Sequence, residues 1–294
     1  MNIESFSICL VRKFGFERLA WALRRLHCPV DKSALVLEVG SGGNPYARSN
    51  ILLDAYEVTR ERHWAPLVSD RPTVLGFVEN LPFKDKVFDF VIASHVLEHS
   101  SDPVRFLSEL QRVAKAGYIE TPDAFMERIN PYKDHRLEVT VRNHRLLIRK
   151  KAAWQADTEL VELYEHKAKE WTTQEMIPNH PFDFHVRYYW SDTINFEVIN
   201  PEIDAAWQAP VEQSNTHQGT SIKPTVRQKI RDGLRGLLSQ KKRNKTINLL
   251  SLLQCPRCNC QSLTQHENDL TCVSCEQQYK VVNGVPSLMV GHAV

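Results

Sequence analysis

The chain has no apolar run approaching the ~20 residues a membrane-spanning helix requires, which excludes an integral membrane protein of the helical kind. Charge of one sign is also missing. Its 37 Lys and Arg stand against 35 Asp and Glu, a formal net charge of +2, too small to argue for nucleic acid as a partner. The first 27 residues, MNIESFSICLVRKFGFERLAWALRRLH, have no basic start followed by a clean apolar core and a small-residue cleavage site, so a secretory signal is not expected. Cysteine is scarce ahead of residue 255, where only Cys9 and Cys28 occur. Five of the seven cysteines fall between 255 and 275, a clustering that points to metal binding in a reducing cytoplasm rather than to disulfides. What remains, 294 residues with 42% hydrophobic and 24% charged, suits one large soluble α/β domain with something small beside it.

The informative stretch runs from Ala34 to Pro103. In ALVLEVGSGGNP (34–45) an apolar run, Leu35 to Val39, is closed by Gly40-Ser41-Gly42-Gly43 and reads as a buried strand ending in a glycine-rich loop. Glycines there permit positive φ and let a ligand reach main-chain N–H groups without meeting a Cβ. ILLDAYE (51–57) is a second apolar strand ending on a carboxylate, Asp54, placed as a Rossmann-like sheet places the acid that binds ribose hydroxyls. ENLPFKDKVFDFVIASHVLEH (79–99) holds another buried strand, Phe88 to Ala93, with a helix start behind it. Strand tips gathered over a glycine loop suit a nucleotide-like ligand. Gly40 and Gly42 alone would serve any tight strand-to-helix turn.

The order VLEVGSG, acidic strand end, ENLPF, FDFVIASHVLEH and DP resembles the class I S-adenosylmethionine-dependent methyltransferases, in particular their small-molecule "methyltransferase type 11" branch, over roughly residues 34–123. The resemblance implies a Rossmann-like, mostly parallel sheet with helices on both faces. It implies S-adenosylmethionine as cofactor, bound by Glu38, Gly40, Gly42, Asp54, Val78, Glu79, Ser94 and His95. If the acceptor is a hydroxyl, a base is needed, and His99 or His135 is the candidate. Two departures stand out. Only fourteen positions separate Gly40 from Asp54, too few for a full linking helix, so a short turn is expected. Phe77 stands where the family usually has an aspartate for the adenine amine, so adenine would be held by stacking and backbone groups.

The rest reads less clearly. Residues 4–27 show apolar positions at helical spacing among arginines and are expected as one amphipathic helix. Val104 to Lys115 is a helix begun by Ser100-Ser101-Asp102-Pro103, and Tyr118-Ile119-Glu120 a further strand. RLEVTVRNHRLLIRK (136–150) alternates on both sides of Asn143-His144 and predicts a β-hairpin. Residues 155–171 predict a helix, and FEVIN (196–200) the last strand of the main sheet. Tyr132, His135, Arg136, His180, His185 and Tyr188 near these strand ends suit recognition of a hydroxylated substrate. The segment IKPTVRQKIRDGLRGLLSQKKRNK holds nine Lys or Arg against one Asp with an apolar stripe. It reads either as a basic amphipathic helix (223–245) touching an anionic membrane surface or as a solvated linker helix packed on its own protein.

Cys255-x2-Cys258, thirteen residues, then Cys272-x2-Cys275 is a zinc-ribbon spacing. Each pair sits on a tight knuckle, and two knuckles complete a closed S4 site, so a structural Zn2+ is expected. Cys260 is a spare that could replace Cys258. LL–CPRC … L-x-C–C … Y-x-V–NGVPSLM, over about 248–290, resembles the small zinc-ribbon family whose stand-alone members activate tRNA and protein methyltransferases by covering a hydrophobic edge. His95-Val-Leu-Glu98-His99 also spells H-x-x-E-H, the zinc motif of inverzincin peptidases, but it follows a buried strand where the methyltransferases carry their own LEH. Some RNA and quinone methyltransferases hold a divalent metal with Glu-x-x-Glu-His at this place, and here only Glu98 and His99 match. The expected organisation is an N-terminal helix (1–30), a methyltransferase domain (31–220, substrate side 124–220), a basic linker (221–247) and a zinc ribbon (248–294). The expected activity is cytoplasmic methyl transfer to a small hydroxylated molecule or a glycan sugar. The alternatives are an RNA methyltransferase and a non-catalytic adaptor built on a degenerate domain.

Overall fold

The computed structural model describes residues 4–59, 66–154, 157–208, 233 and 235–290. The N-terminal stretch is not one helix. α1 (Phe6–Lys13) starts where Ser5 Oγ accepts the N–H of Ile8 at 3.2 Å, and α2 (Glu17–Leu23) follows after a break. Gly15, at φ +79°, makes that break, since a left-handed residue just past the last turn is how a helix is commonly stopped. Next come β1 (Val36–Val39), β2 (Ile51–Asp54), β3 (Thr73–Leu75), β4 (Phe90–Ser94), α3 (Pro103–Val113), β5 (Ala116–Pro122) and α4 (Ala124–Ile129). They are followed by β6 (Leu137–Arg142), β7 (Arg145–Lys150) and α5 (Thr158–Leu163), which continues through π-type turns to Asn179. β8 (His185–Ser191), β9 (Phe196–Val198), β10 (Leu263–His266), β11 (Asp269–Cys272), β12 (Gln278–Val282) and β13 (Val285–Pro286) complete the order. The central six-stranded sheet has the order β3-β2-β1-β4-β5-β8. No helix among the described residues is long and apolar enough to cross a membrane.

The chain forms two compact units, residues 1–31, 93–107 and 116–211 in one and 32–92, 108–115 and 212–294 in the other. In the second unit β1 pairs with β2 and β2 with β3, both in parallel, and every residue of the three strands is buried. Continuous apolar runs such as Val36-Leu37 and Ile51-Leu52-Leu53 are what a sheet covered on both faces demands. The one-turn helix Lys241–Asn244 closes the starts of these strands, with Asn50 Nδ2 donating to Asn244 Oδ1 at 2.8 Å and Arg243 donating to the carbonyls of Ser33 and Ala34. Most of the segment expected as a basic helix, through residue 232 together with Leu234, lies outside the described residues.

The C-terminal strands β10–β13 form an antiparallel sheet of their own and belong to this same unit. Their module continues the pairing of β3: Leu75 bridges Ser287 in parallel, and the Leu288 N–H donates to the Leu75 carbonyl at 2.8 Å. A second bridge joins Phe83 to Leu253, whose side chains are buried with that of Leu288. An open edge at β3 would expose unpaired backbone groups, and this docking satisfies part of it.

In the other unit β5 and β8 pair antiparallel over seven residues, from Ala116↔Ser191 to Pro122↔His185. The aromatic run of β8 therefore supplies the outer strand of the main sheet. FEVIN does not: β9 pairs in parallel with β7 in a three-stranded sheet β6-β7-β9. Val186, Tyr188 and Trp190 alternate inward along β8, giving a seven-residue ladder that three residues of β9 cannot match. The β6–β7 hairpin turns at Asn143 and His144, both at positive φ, as a two-residue turn requires.

If the docking of the C-terminal strands carries stability, Leu288→Ala, which empties a fully buried position at β3, lowers the unfolding free energy by about 2–5 kcal/mol in urea denaturation. A change below about 0.5 kcal/mol would mean that this contact is dispensable.

Candidate functional site

The glycine loop is shaped in the second unit. Gly40 and Gly42 take φ +63° and +56°, values in which a Cβ would be strained. Among the described residues no helix lies between β1 and β2, so side chains order the loop instead. Asp54, at the tip of β2, accepts the N–H of Gly42 at 2.9 Å and that of Tyr56 at 3.1 Å. Glu38, at the end of β1, accepts the N–H of Tyr46 at 2.8 Å and the Ser49 hydroxyl. Arg71 donates to the carbonyls of Tyr46 and Ser49 at 3.1 and 2.6 Å. Three charged side chains thus hold a short loop rigid and leave main-chain polar groups and a carboxylate as its chemistry. Phe77 packs edge-on to Tyr56 with centroids 6.1 Å apart, and the 3₁₀ turn Val78–Asn80 carries Val78, buried, and Glu79.

In the first unit a polar cluster surrounds Glu120, a carboxylate buried within β5. Arg24 grips it through two nitrogens at 2.8 and 2.9 Å, Ser94 Oγ donates to it at 3.0 Å, and Tyr118 donates to its other oxygen. His95, at φ +57°, lies between Glu98 (3.4 Å) and Glu120 (3.3 Å). Burial would lower the imidazolium pKa, but hydrogen bonding to Glu120 and then Glu98 outweighs it and pushes the value up to about 9. A non-glycine residue held at positive φ between two carboxylates is over-determined by its surroundings, and such residues gather at functional sites. His99 and His135 are close together, with ring centroids 4.8 Å apart and Glu98 beside them. His180 sits elsewhere, 60% exposed, 4.0 Å from Asp183.

The four predicted cysteines meet. Cys255, Cys258, Cys272 and Cys275 bring their sulfurs within 4.8 Å of one another, with Cys255–Cys275 at 3.6 Å and Cys258–Cys272 at 3.5 Å. A tetrahedral ion with Zn–S bonds of ~2.3 Å places sulfurs about 3.8 Å apart, so the donor set fits a closed S4 site. The Tyr279 hydroxyl lies 3.0 Å from Cys255 Sγ and supplies a hydrogen bond to it. Cys260 stays outside the cluster, its thiol directed at the Ser262 carbonyl.

Sequence reasoning overlooked Arg24, Glu120, Glu127 and Lys151. Glu120 carried a signal, a lone acid among the apolar residues of AGYIETP, which inside a strand calls for a buried partner. Arg24 was masked by the other arginines of its stretch. Nothing local distinguishes Glu127 or Lys151, which meet only through the tertiary fold.

With this geometry in view, residues 37–119 match the family described as "Methyltransferase domain". The chain is 32% identical over 98 residues to the uncharacterized protein MJ1123 of Methanocaldococcus jannaschii, covering 33% of this chain and 45% of that protein. It is 51% identical over 43 residues to the uncharacterized methyltransferase C1B3.06c of Schizosaccharomyces pombe, covering 15% of this chain and 16% of that protein. The chain therefore spans less than half the length of these relatives. Among solved structures, it resembles a chain of the complex between the Haloferax volcanii Trm112 methyltransferase activator and a protein described there as a methyltransferase. That likeness has 17% identity and a TM-score of 0.35 over 64% of this chain and 94% of that one.

Burial would raise the Glu120 pKa, but hydrogen bonds from His95 and Arg24 outweigh this and hold it well below the usual carboxylate range. A depressed carboxylate contributes stability above its unfolded pKa and loses it as the pH falls through its folded value. Arg24→Met is accordingly expected to cost about 3–5 kcal/mol near neutral pH, since it strips a partner from a buried charge. The gap to wild type should shrink on acidification from neutral pH through the carboxylate range, because Glu120 of the variant takes up a proton before that of the wild type. Urea denaturation at neutral and acidic pH checks this; a pH-independent gap would contradict it.

Proposed function

We propose that this protein is an S-adenosylmethionine-dependent methyltransferase whose C-terminal module holds one structural Zn2+. The observation that carries the reading is the Gly40–Gly42 loop tied to Asp54, lying within the segment that matches a methyltransferase domain. When bound, the cofactor would supply an electrophilic methyl group on a sulfonium. The chain's task is then to bind, orient and deprotonate. Gly40 and Gly42 would line the methionine and ribose portions, where the lack of a Cβ lets the ligand approach the backbone, with Glu38 fixing the loop beneath them. Asp54 would accept the ribose hydroxyls, and Val78 and Glu79 would flank the adenine, where Phe77 offers a ring face in place of the carboxylate common in the family. Ser94 and His95, in the first unit, are further positions that the resemblance assigns to the cofactor.

For the acceptor, the reading that fits best is a small hydroxylated molecule or a glycan sugar. Phe125, Tyr132 and Trp171 of the first unit expose ring surface, and sugars and other hydroxylated rings stack on such surfaces while imidazoles take the hydroxyl proton. His99 and His135 would serve there. Docking of the Zn2+ module along β3 supports a stabilising role for it, in one chain, like that of the separate activator ribbons it resembles.

Calorimetric titration with S-adenosylhomocysteine tests the cofactor assignment. Wild-type protein should bind in the micromolar range, and Asp54→Ala at least 100-fold more weakly. No heat at millimolar ligand would sink the enzyme reading and leave the adaptor. Elemental analysis should find one tightly held Zn2+ per chain, lost with cooperative folding of the module in Cys272→Ser; metal-free protein that melts identically would remove the zinc assignment.

A further inference from the structure

The two N-terminal helices are fastened to the first unit by few apolar side chains. Ile8 and Ala20 are the buried apolar residues of α1 and α2. Trp21 packs against Phe182 and His185, with ring centroids 5.2 and 4.6 Å apart, and the Arg12 guanidinium lies 4.0 Å over the Phe182 ring. Ion pairs complete the attachment, Glu4 with Arg187 and Arg24 with Glu120. All of these residues belong to the same unit.

The large apolar residues of the segment are turned outward. Phe6, Leu10 and Phe14 recur every fourth residue, one side of α1 and its C-cap. Phe16, Leu19 and Leu26 continue the pattern along α2 and the 3₁₀ turn Arg24–Leu26. These side chains are between 41% and 80% exposed. An amphipathic helix ordinarily buries its apolar stripe and exposes its charges. Here the stripes face away from the unit, and they meet at Phe14-Gly15-Phe16, where the left-handed Gly15 turns the chain. Single exposed leucines need no explanation, but large apolar side chains gathered on one short segment mark an interaction surface.

Charge decides what covers it. Residues 4–27 contain only two acids, and both are engaged, Glu4 by Arg187 and Glu17 by Arg12 at 3.3 Å. Lys13 and Arg18 are exposed next to Phe14 and Leu19, and Arg25 is half-buried next to Leu26. A second copy of the chain would set cation against cation, because a two-fold interface brings one patch onto itself. Nucleic acid would answer the charge and could stack on the phenylalanines, but it gives the leucines no apolar phase to enter. An anionic bilayer answers both, with headgroups for Lys and Arg and acyl chains for Phe and Leu.

We infer that α1 and α2 form an interfacial anchor that seats this protein on an anionic phospholipid surface. Phe14 and Phe16 enter the acyl boundary, and Lys13 and Arg18 meet the headgroups. Among the described residues no helix is long and apolar enough to cross a membrane, so the attachment is peripheral. The anchor is independent of the methyl-transfer reading, and it lies in a different part of the chain from the basic segment 223–245.

Co-sedimentation of the full chain with phospholipid vesicles tests the anchor. Phosphatidylcholine vesicles containing about one-third phosphatidylserine should bind the protein at ~0.1 M salt, more weakly at ~0.5 M, and vesicles of phosphatidylcholine alone should bind it least. Phe14→Ser with Phe16→Ser should weaken binding to the anionic vesicles by at least ~10-fold. Lys13→Ala with Arg18→Ala should weaken it by about 20–30-fold, since each cation near such a surface contributes roughly a factor of five. All four side chains are exposed, so circular dichroism melts of the variants should overlay that of wild type; Phe6→Ser with Leu10→Ser replaces a pair that does not. Wild-type protein left in the supernatant of anionic vesicles would overturn the anchor. Folded variants that bind as wild type does would also overturn it, and would move the contact to 223–245, which they keep intact. Sedimentation velocity without lipid tests the rival occupant. A wild-type dimer that becomes monomeric in Phe14→Ser with Phe16→Ser would give the face to a second copy instead, whereas the same state in both proteins agrees with lipid.

Discussion

The bond from the Gly42 N–H to the Asp54 carboxylate joins the end of β1 to the end of β2 where the chain is too short to place a helix between them. In a parallel βαβ unit the intervening helix normally buries the loop and holds the strand tips in register. Here the polar side chains of Asp54, Glu38 and Arg71 do that work through backbone N–H and C=O groups that would otherwise be unsatisfied. The consequence is a loop whose two left-handed glycines are held by charge rather than by apolar packing. Such a loop presents glycine backbone without a Cβ, which lets a nucleotide-like ligand approach closely.

Stability and chemistry meet again at β3. A parallel edge strand needs cover, and the four-cysteine module supplies it within the same unit through Leu75, Ser287 and Leu288. Small ribbons have little core of their own, so an ion bound by Cys255, Cys258, Cys272 and Cys275 would order the strands from which that cover comes. In the other unit the same logic runs through buried charge. Glu120 is tolerated inside β5 because Arg24, His95, Ser94 and Tyr118 surround it, and His95 is held at positive φ as part of that arrangement.

Much of this was legible from residue pattern alone. Continuous apolar runs marked β1, β2 and β4, the first closed by glycine and the second by an acid, the Asn143-His144 turn marked the hairpin, and cysteine spacing marked a cluster whose four sulfurs do converge. Where reading failed, long-range contact had overridden local signal. FEVIN looked like a sheet strand and is one, but β8 takes the place beside β5 because its seven residues bury three large side chains on one face. The N-terminal apolar spacing ran through Phe14-Gly15-Phe16 without a pause, yet one glycine at φ +79° splits the helix. The partners of His135 were invisible, since Glu127 and Lys151 are ordinary charged residues until the fold brings them together. That His95 pairs with Glu98 and Glu120 is likewise written only in its contacts.

The central claim is that the charge-held glycine loop is a cofactor site, and a crystal structure of the protein grown with S-adenosylhomocysteine tests it most directly. The account predicts the ligand over Gly40 and Gly42 with its ribose hydroxyls on Asp54 and its adenine beside Phe77 and Val78. Ligand density anywhere else, or the loop collapsed on Asp54 with the ligand absent at saturating concentration, would contradict it.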